Sequence, residues 1–222
     1  MSSLETIKEH GYWEVVIRPA RFVERRVEKL TKLEQFVQTN QVRVRGWPFP
    51  ATNEVGRASI FESYVGASVE WGNHREAWRL YQSGMFVWLQ GNRWDWLHAD
   101  AELSDQNRRT KPGTTLSAGD ALYLLWEVFE FAARLSLSDT GDDPMHVEIK
   151  CHRLAGRRLW IDPWHDVRGR RCEAQEWMFS RDLSRQQLAA DARKIGFEAG
   201  LDLFQRFGWD STLETLEGIL KP

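Results

Sequence analysis

EAWRLYQSGMFVWLQ, residues 76–90, decides the fold. Two aromatic-rich runs flank Gln82-Ser83-Gly84, and glycine supplies the positive φ of a tight turn, so the sequence predicts an antiparallel hairpin. In the first arm Trp78 and Leu80 share one side, while Ala77, Arg79 and Tyr81 share the other. In the second arm Phe86 and Trp88 oppose Met85, Val87 and Leu89. Neither side is cleanly polar, so both faces of the sheet are expected to be covered, by helices of this chain or by a partner chain.

Working outward, residues 12–18 (YWEVVIR) read as a strand closed by Pro19. A second strand is expected at 42–47, ahead of Pro48 and Pro50, and an extended stretch at 60–71 with Gly66 as a bulge. Downstream, 145–152 and 158–162 are expected to pair as a second hairpin around Leu154-Ala155-Gly156, with a further strand near 174–179. Apolar residues at three- and four-residue steps predict a helix within 21–39 (Val23, Val27, Leu30, Leu33). A longer helix is expected over 117–136, capped by Ser117, with Leu122, Leu125, Trp126 and Phe129 on its apolar stripe. Leu188, Ala192, Ile195, Ala199, Leu203 and Phe207 mark a C-terminal helix, and a last short one follows Gly208. The polar segment 99–115 is expected to be a flexible surface loop within one domain spanning 1–222. The expectation is an α+β fold: an antiparallel sheet with two Trp-rich hairpins, packed by three to four helices.

Composition narrows the function classes. The 222 residues include 30 Lys+Arg against 32 Asp+Glu, a net charge of −2, which gives no global drive toward nucleic acid. Any such contact needs a local patch. Two cysteines, Cys151 and Cys172, are too few for a disulfide framework and read as reduced thiols. No window approaches the about 20 apolar residues of a membrane span, and residues 1–10 lack a signal-peptide core. A soluble, cytoplasmic protein without a membrane partner is expected.

Glu148-Ile149-Lys150 on a predicted strand, with Asp142 and Asp143 upstream, resembles the PD-(D/E)xK nuclease core, in which carboxylates hold Mg²⁺ and a lysine steadies water. The acids here sit in a Gly-Pro turn rather than on a preceding strand, and Glu and Lys on one strand face also form an ordinary ion pair. Cys151, His152, His165 and Cys172 are zinc-type residues without zinc-type spacing, and adjacent Cys151 and His152 point to opposite strand faces. No metal and no cofactor is therefore expected. Ser83 lacks a nucleophile elbow, and His74 and His98 lack a nucleophile to serve. Neither the dinucleotide nor the Walker phosphate loop is present.

Twelve tryptophans run from end to end of the chain. Trp78, Trp88 and Trp126 are assigned to the core. Trp47, Trp160 and Trp164 stand among arginines, where guanidinium and indole together suit phosphates and unstacked bases. The basic clusters are Arg43, Arg45 and Trp47; Arg157, Arg158, Trp160 and Trp164 with Arg168, Arg170 and Arg171; and Arg108, Arg109 and Lys111. The competing explanation is arginine stems covering a sheet edge and pairing with local acids.

GWPFP (46–50), WGNHREAWRLYQSGMFV (71–87) and EVFEFAARL (127–135) together resemble an uncharacterised family of bacterial domains found as C-terminal partners of Schlafen-type, Alba-like DNA- or ATP-binding modules. The resemblance implies an accessory role in a regulatory or defence-type protein and assigns no functional residue. The Alba-like domain itself is absent from this chain. The leading expectation is a non-catalytic binding or regulatory module that acts through a protein partner or a second copy of itself, with nucleic acid as a further partner. A metal-dependent nuclease using Glu148 and Lys150 is the alternative, and a small-molecule sensor with an aromatic pocket the third.

Overall fold

The computed structural model describes residues 3–52, 58–96, 111–161 and 171–220. Period-two alternation of apolar residues builds its central element, a seven-stranded sheet. The strands are β1 (Tyr12–Pro19), β2 (Ser59–Ile60), β3 (Tyr64–Trp71), β4 (His74–Tyr81), β5 (Phe86–Gly91), β7 (Met145–His152) and β9 (Glu176–Leu183). Their order is β2-β3-β4-β5-β1-β7-β9, and every neighbouring pair is antiparallel. In β1, Trp13, Val15 and Ile17 are buried while Tyr12, Glu14, Val16 and Arg18 face the other way. The fold is α+β, as expected.

The 76–90 hairpin forms as read: Trp78 pairs with Trp88 and Leu80 with Phe86, and Gly84 turns the chain at φ +86°. A second tryptophan-bearing hairpin joins β3 to β4. The pairing expected between 145–152 and 158–162 does not occur. Strand β8 (Arg158–Trp160) instead pairs in parallel with β6 (Thr115–Ser117) as a separate two-stranded sheet, while β7 lies between β1 and β9. Strand β6 takes the end of the expected 99–115 loop; residues 97–110 of that loop lie outside the described residues.

Helix α3 (Ala118–Ser136) is buried on most sides and carries the core. Its cap is the expected one, with the Ser117 hydroxyl accepting from the Asp120 N–H. Phe131 meets Phe86 and Phe49, and Phe129 meets Phe179, so α3 spans the inner face of the sheet from β5 to β9. Helix α4 (Arg185–Gln205) packs along α3 at two glycines. A Cβ on Gly196 would stand 3.0 Å from the Trp126 nitrogen, and one on Gly200 would stand 2.7 Å from Leu122. Trp126 itself is only half-buried at the rim, its ring under the Arg193 guanidinium, so its assignment to the core is corrected. Helix α5 (Leu213–Ile219) adds Leu216 to the core.

Three further expectations change. Helix α2 covers only Leu30–Asn40, since residues 21–29 are held as turns. There the Val27 N–H donates to the Gln82 carbonyl, and the Gln82 side chain donates to the carbonyls of Val27 and Glu28. Residues 42–47 form no strand, because Gly46 at φ +86° folds them back and leaves one bridge between Val42 and Phe49. At Gly66 the pairing register is unbroken on both sides, so there is no bulge.

Candidate ligand site on the open face of the sheet

The second face of the sheet is left largely uncovered by the rest of the described chain. Its one helical cover is the short N-terminal helix α1 (Ser3–Lys8), where Ile7 packs on Ala77 and Leu89 in a cluster separate from the main core. The expectation that helices cover both faces therefore holds for the α2–α3–α4 side only. Between α1 and strands β2–β5 the open face holds a cavity of about 570 Å³. That size falls within the usual range for small-molecule sites.

Strand register determines what lines it. Tyr64 pairs with Tyr81 and Gly66 with Arg79, so these four positions lie side by side on the open face. Phe61 stacks on Tyr64 with ring centres 4.4 Å apart, and Tyr81 tilts against Tyr64 at 5.0 Å. The Arg79 guanidinium lies over Tyr64, 5.0 Å from the ring centre. Gly66 gives Arg79 room, because a Cβ there would stand 3.2 Å from the Arg79 Cγ and 2.7 Å from the Trp78 carbonyl oxygen. Arg79 makes no ion pair or hydrogen bond with any described residue. Lys8 enters the wall from α1, and Glu14 from β1 is engaged by His152 at 3.2 Å. Apolar Leu4, Val87 and Leu89 complete the walls. The cavity thus offers an aromatic stack, an apolar wall and an arginine without an acidic partner among the described residues.

Beyond it the open face becomes polar. His152 lies between Glu14 and Glu176, the latter at 3.3 Å, and stacks on Tyr12 at 4.3 Å. Burial and the Glu14 charge raise the Tyr12 phenol above its ordinary pKa. The residues of the nuclease reading also sit here. Lys150 Nζ is 2.7 Å from Glu148, and that hydrogen bond raises the lysine pKa above its ordinary value. Asp142 is held elsewhere, by Arg26 at 2.9 Å and Arg21 at 3.4 Å. The three groups are not gathered around one point. Among the described residues no cluster of three or more His, Cys, Asp or Glu could hold a metal ion. Cys151 and Cys172 are buried and unpaired, and burial pushes both thiols up.

The basic clusters divide by burial. Arg157, singled out as a recognition residue, is 3% exposed. Its guanidinium forks onto Asp95, with Nη1 2.8 Å from Oδ1, and it also donates to the carbonyls of Thr115 and Arg153. Asp95 in turn accepts from the Gly11 and Gly113 N–H groups, both at 2.9 Å. This network ties β1, β6 and the 153–157 turn together. Arg45 is similarly taken up by buried Glu127, whose own pKa burial raises. Arg43 and Arg158 are exposed, and Arg171 donates to the Gly156 carbonyl. Trp47, 40% exposed, lies between the guanidinium groups of Arg45 and Arg93. Trp160 packs against Trp94, whose N–H donates to Asp120. Trp164, Arg168, Arg170, Arg108 and Arg109 lie outside the described residues.

Phe61, Tyr64 and Arg79 were not among the residues singled out from sequence. The one available signal was that Arg79 and Tyr81 share the face opposite Trp78. No helix among the described residues is long and apolar enough to cross a membrane. Compared with family models, with curated proteins and with solved structures, the chain matches none of them.

Proposed function

We propose that this chain is a non-catalytic binding module whose ligand docks on the open face of the sheet, nearer to a small-molecule sensor than to a nucleic-acid reader. The observation that carries this reading is the 570 Å³ cavity whose Arg79 lies over Tyr64 with no acidic partner among the described residues. Soluble domains usually cover or charge such a face, and a concave aromatic patch with a few convergent polar groups is a default binding site. The nuclease reading has less support, because Glu148 and Lys150 neutralise each other and Asp142 is bound to arginines. The nucleic-acid reading loses Arg45 and Arg157 to buried acids. The accessory role implied by the resemblance to Schlafen-associated domains is compatible with a sensor that reports to a partner protein in the cytoplasm.

A ligand-observed NMR screen of a chemically diverse fragment set tests the reading. Hits are expected to compete for one site and to disappear with Val87→Trp, which fills the cavity from its apolar wall. Hits that survive this folded variant would contradict the proposal. So would tight, salt-sensitive oligonucleotide binding that depends on Arg43 and Arg158.

A further inference from the structure

We infer that the ligand of this cavity is a small aromatic acid: a planar ring held on the Phe61–Tyr64–Tyr81 stack, with one anionic group at Arg79. The inference rests on the binding-module reading above and specifies its ligand. Three features of the cavity lead to it.

The first is charge. Arginine in a partly covered site is often neutralised, as Arg157 is by Asp95, Arg45 by Glu127 and Arg26 by Asp142. Arg79 has no acidic partner among the described residues, and Lys8 adds a second cation to the wall. The carboxylate within reach, Glu14, is committed to His152. An incoming anion therefore meets two cations and little competition.

The second is preorganisation. The Arg79 stem crosses Gly66, and its guanidinium lies over Tyr64, 5.0 Å from the ring centre, so fewer rotamers are lost when its fork receives a carboxylate than for a solvated arginine. A cation on one face of Tyr64 also suits a ring stacked at its edge or on Phe61, since the aromatic quadrupoles orient the next ring. The third is shape. Aromatic Phe61, Tyr64 and Tyr81 and apolar Val87 and Leu89 line the same cavity, a combination that suits a flat apolar group.

Isothermal titration with three probes tests this on the full chain: 2-naphthoate, its neutral analogue 2-naphthamide, and the non-aromatic cyclohexanecarboxylate. Naphthoate is expected to bind at one site about tenfold or more tighter than naphthamide, the gain of a hydrogen bond to a charged group. Arg79→Met should remove most of that difference, Lys8 retaining the remainder, while leaving naphthamide binding intact, and Arg79→Lys should restore part of it. Tyr64→Leu should weaken naphthoate by about three- to tenfold with a smaller effect on cyclohexanecarboxylate. Equal affinity for naphthoate and naphthamide would overturn the inference, as would insensitivity to Arg79→Met. If none of the three binds while screen hits are still lost with Val87→Trp, the aromatic-acid inference fails and the binding-module reading stands. If the screen also fails, both fall.

Discussion

Phe86 and Val87 are neighbours in β5 on opposite faces of the sheet. Phe86 is fully buried, in edge-to-face contact with Phe131 of α3 and paired across the strands with Leu80. Val87 faces the cavity beside Arg79. The inner face is packed by α2, α3 and α4, whose side chains form the main core with it. Among the described residues the outer face is covered by one short helix with a small apolar cluster, and its Arg79 has no acidic partner there. A single residue of register thus separates the core from the cavity, and stability from the proposed recognition.

Substitutions on the two faces should therefore differ sharply. Phe86→Ala is expected to cost about 3–5 kcal/mol in urea unfolding, as for other buried aromatics, while Val87→Ala costs about 1 kcal/mol or less. Similar costs at both positions would break the distinction. Arg157→Ala should resemble the core change, destabilising by about 3–5 kcal/mol because buried Asp95 loses its counter-charge. A folded variant of unchanged stability with lost oligonucleotide binding would return Arg157 to a recognition surface.

Ile7→Asp sharpens the comparison from the other side. It should speed amide exchange in α1, residues 3–8, without shifting the global unfolding midpoint by more than about 1 kcal/mol, because α1 belongs to its own small cluster. Global loss of structure would show that α1 is part of the core. The smallest effect is electrostatic. The Asp143 N–H, at 2.9 Å, and then Arg26 hold the Asp142 carboxyl below its ordinary pKa. A lowered native pKa contributes stability above the unfolded value of about 3.9 that is lost as pH falls through the native one. Wild type should therefore exceed Asp142→Asn in stability near pH 6, and the two should converge as the pH drops below 3.9. A difference that persists unchanged at low pH would exclude this cause.

Much of the inner face was legible in the sequence. The hairpin showed because Gly84 marks its turn, and α3 showed because Ser117 caps a wide apolar stripe. The outer face was not, because its meaning lies in pairings between strands. Arg79 and Tyr81 could be placed on one side of β4, but that Tyr64 and Gly66 would stand beside them depends on the register of β3. Arg157 read as a surface cation because its partner, Asp95, is 62 residues away in the chain and carries no local signal. Strand β8 read as half of a hairpin because a glycine turn precedes it, yet its pairing is with β6.

The most direct measurement is amide chemical-shift mapping with 2-naphthoate. The largest changes are expected at Tyr64, Gly66, Arg79 and Val87, with Arg43, Trp47 and Trp160 unmoved. Changes centred on Trp47 and Trp160, with the cavity residues still, would contradict the assignment of recognition to the open face.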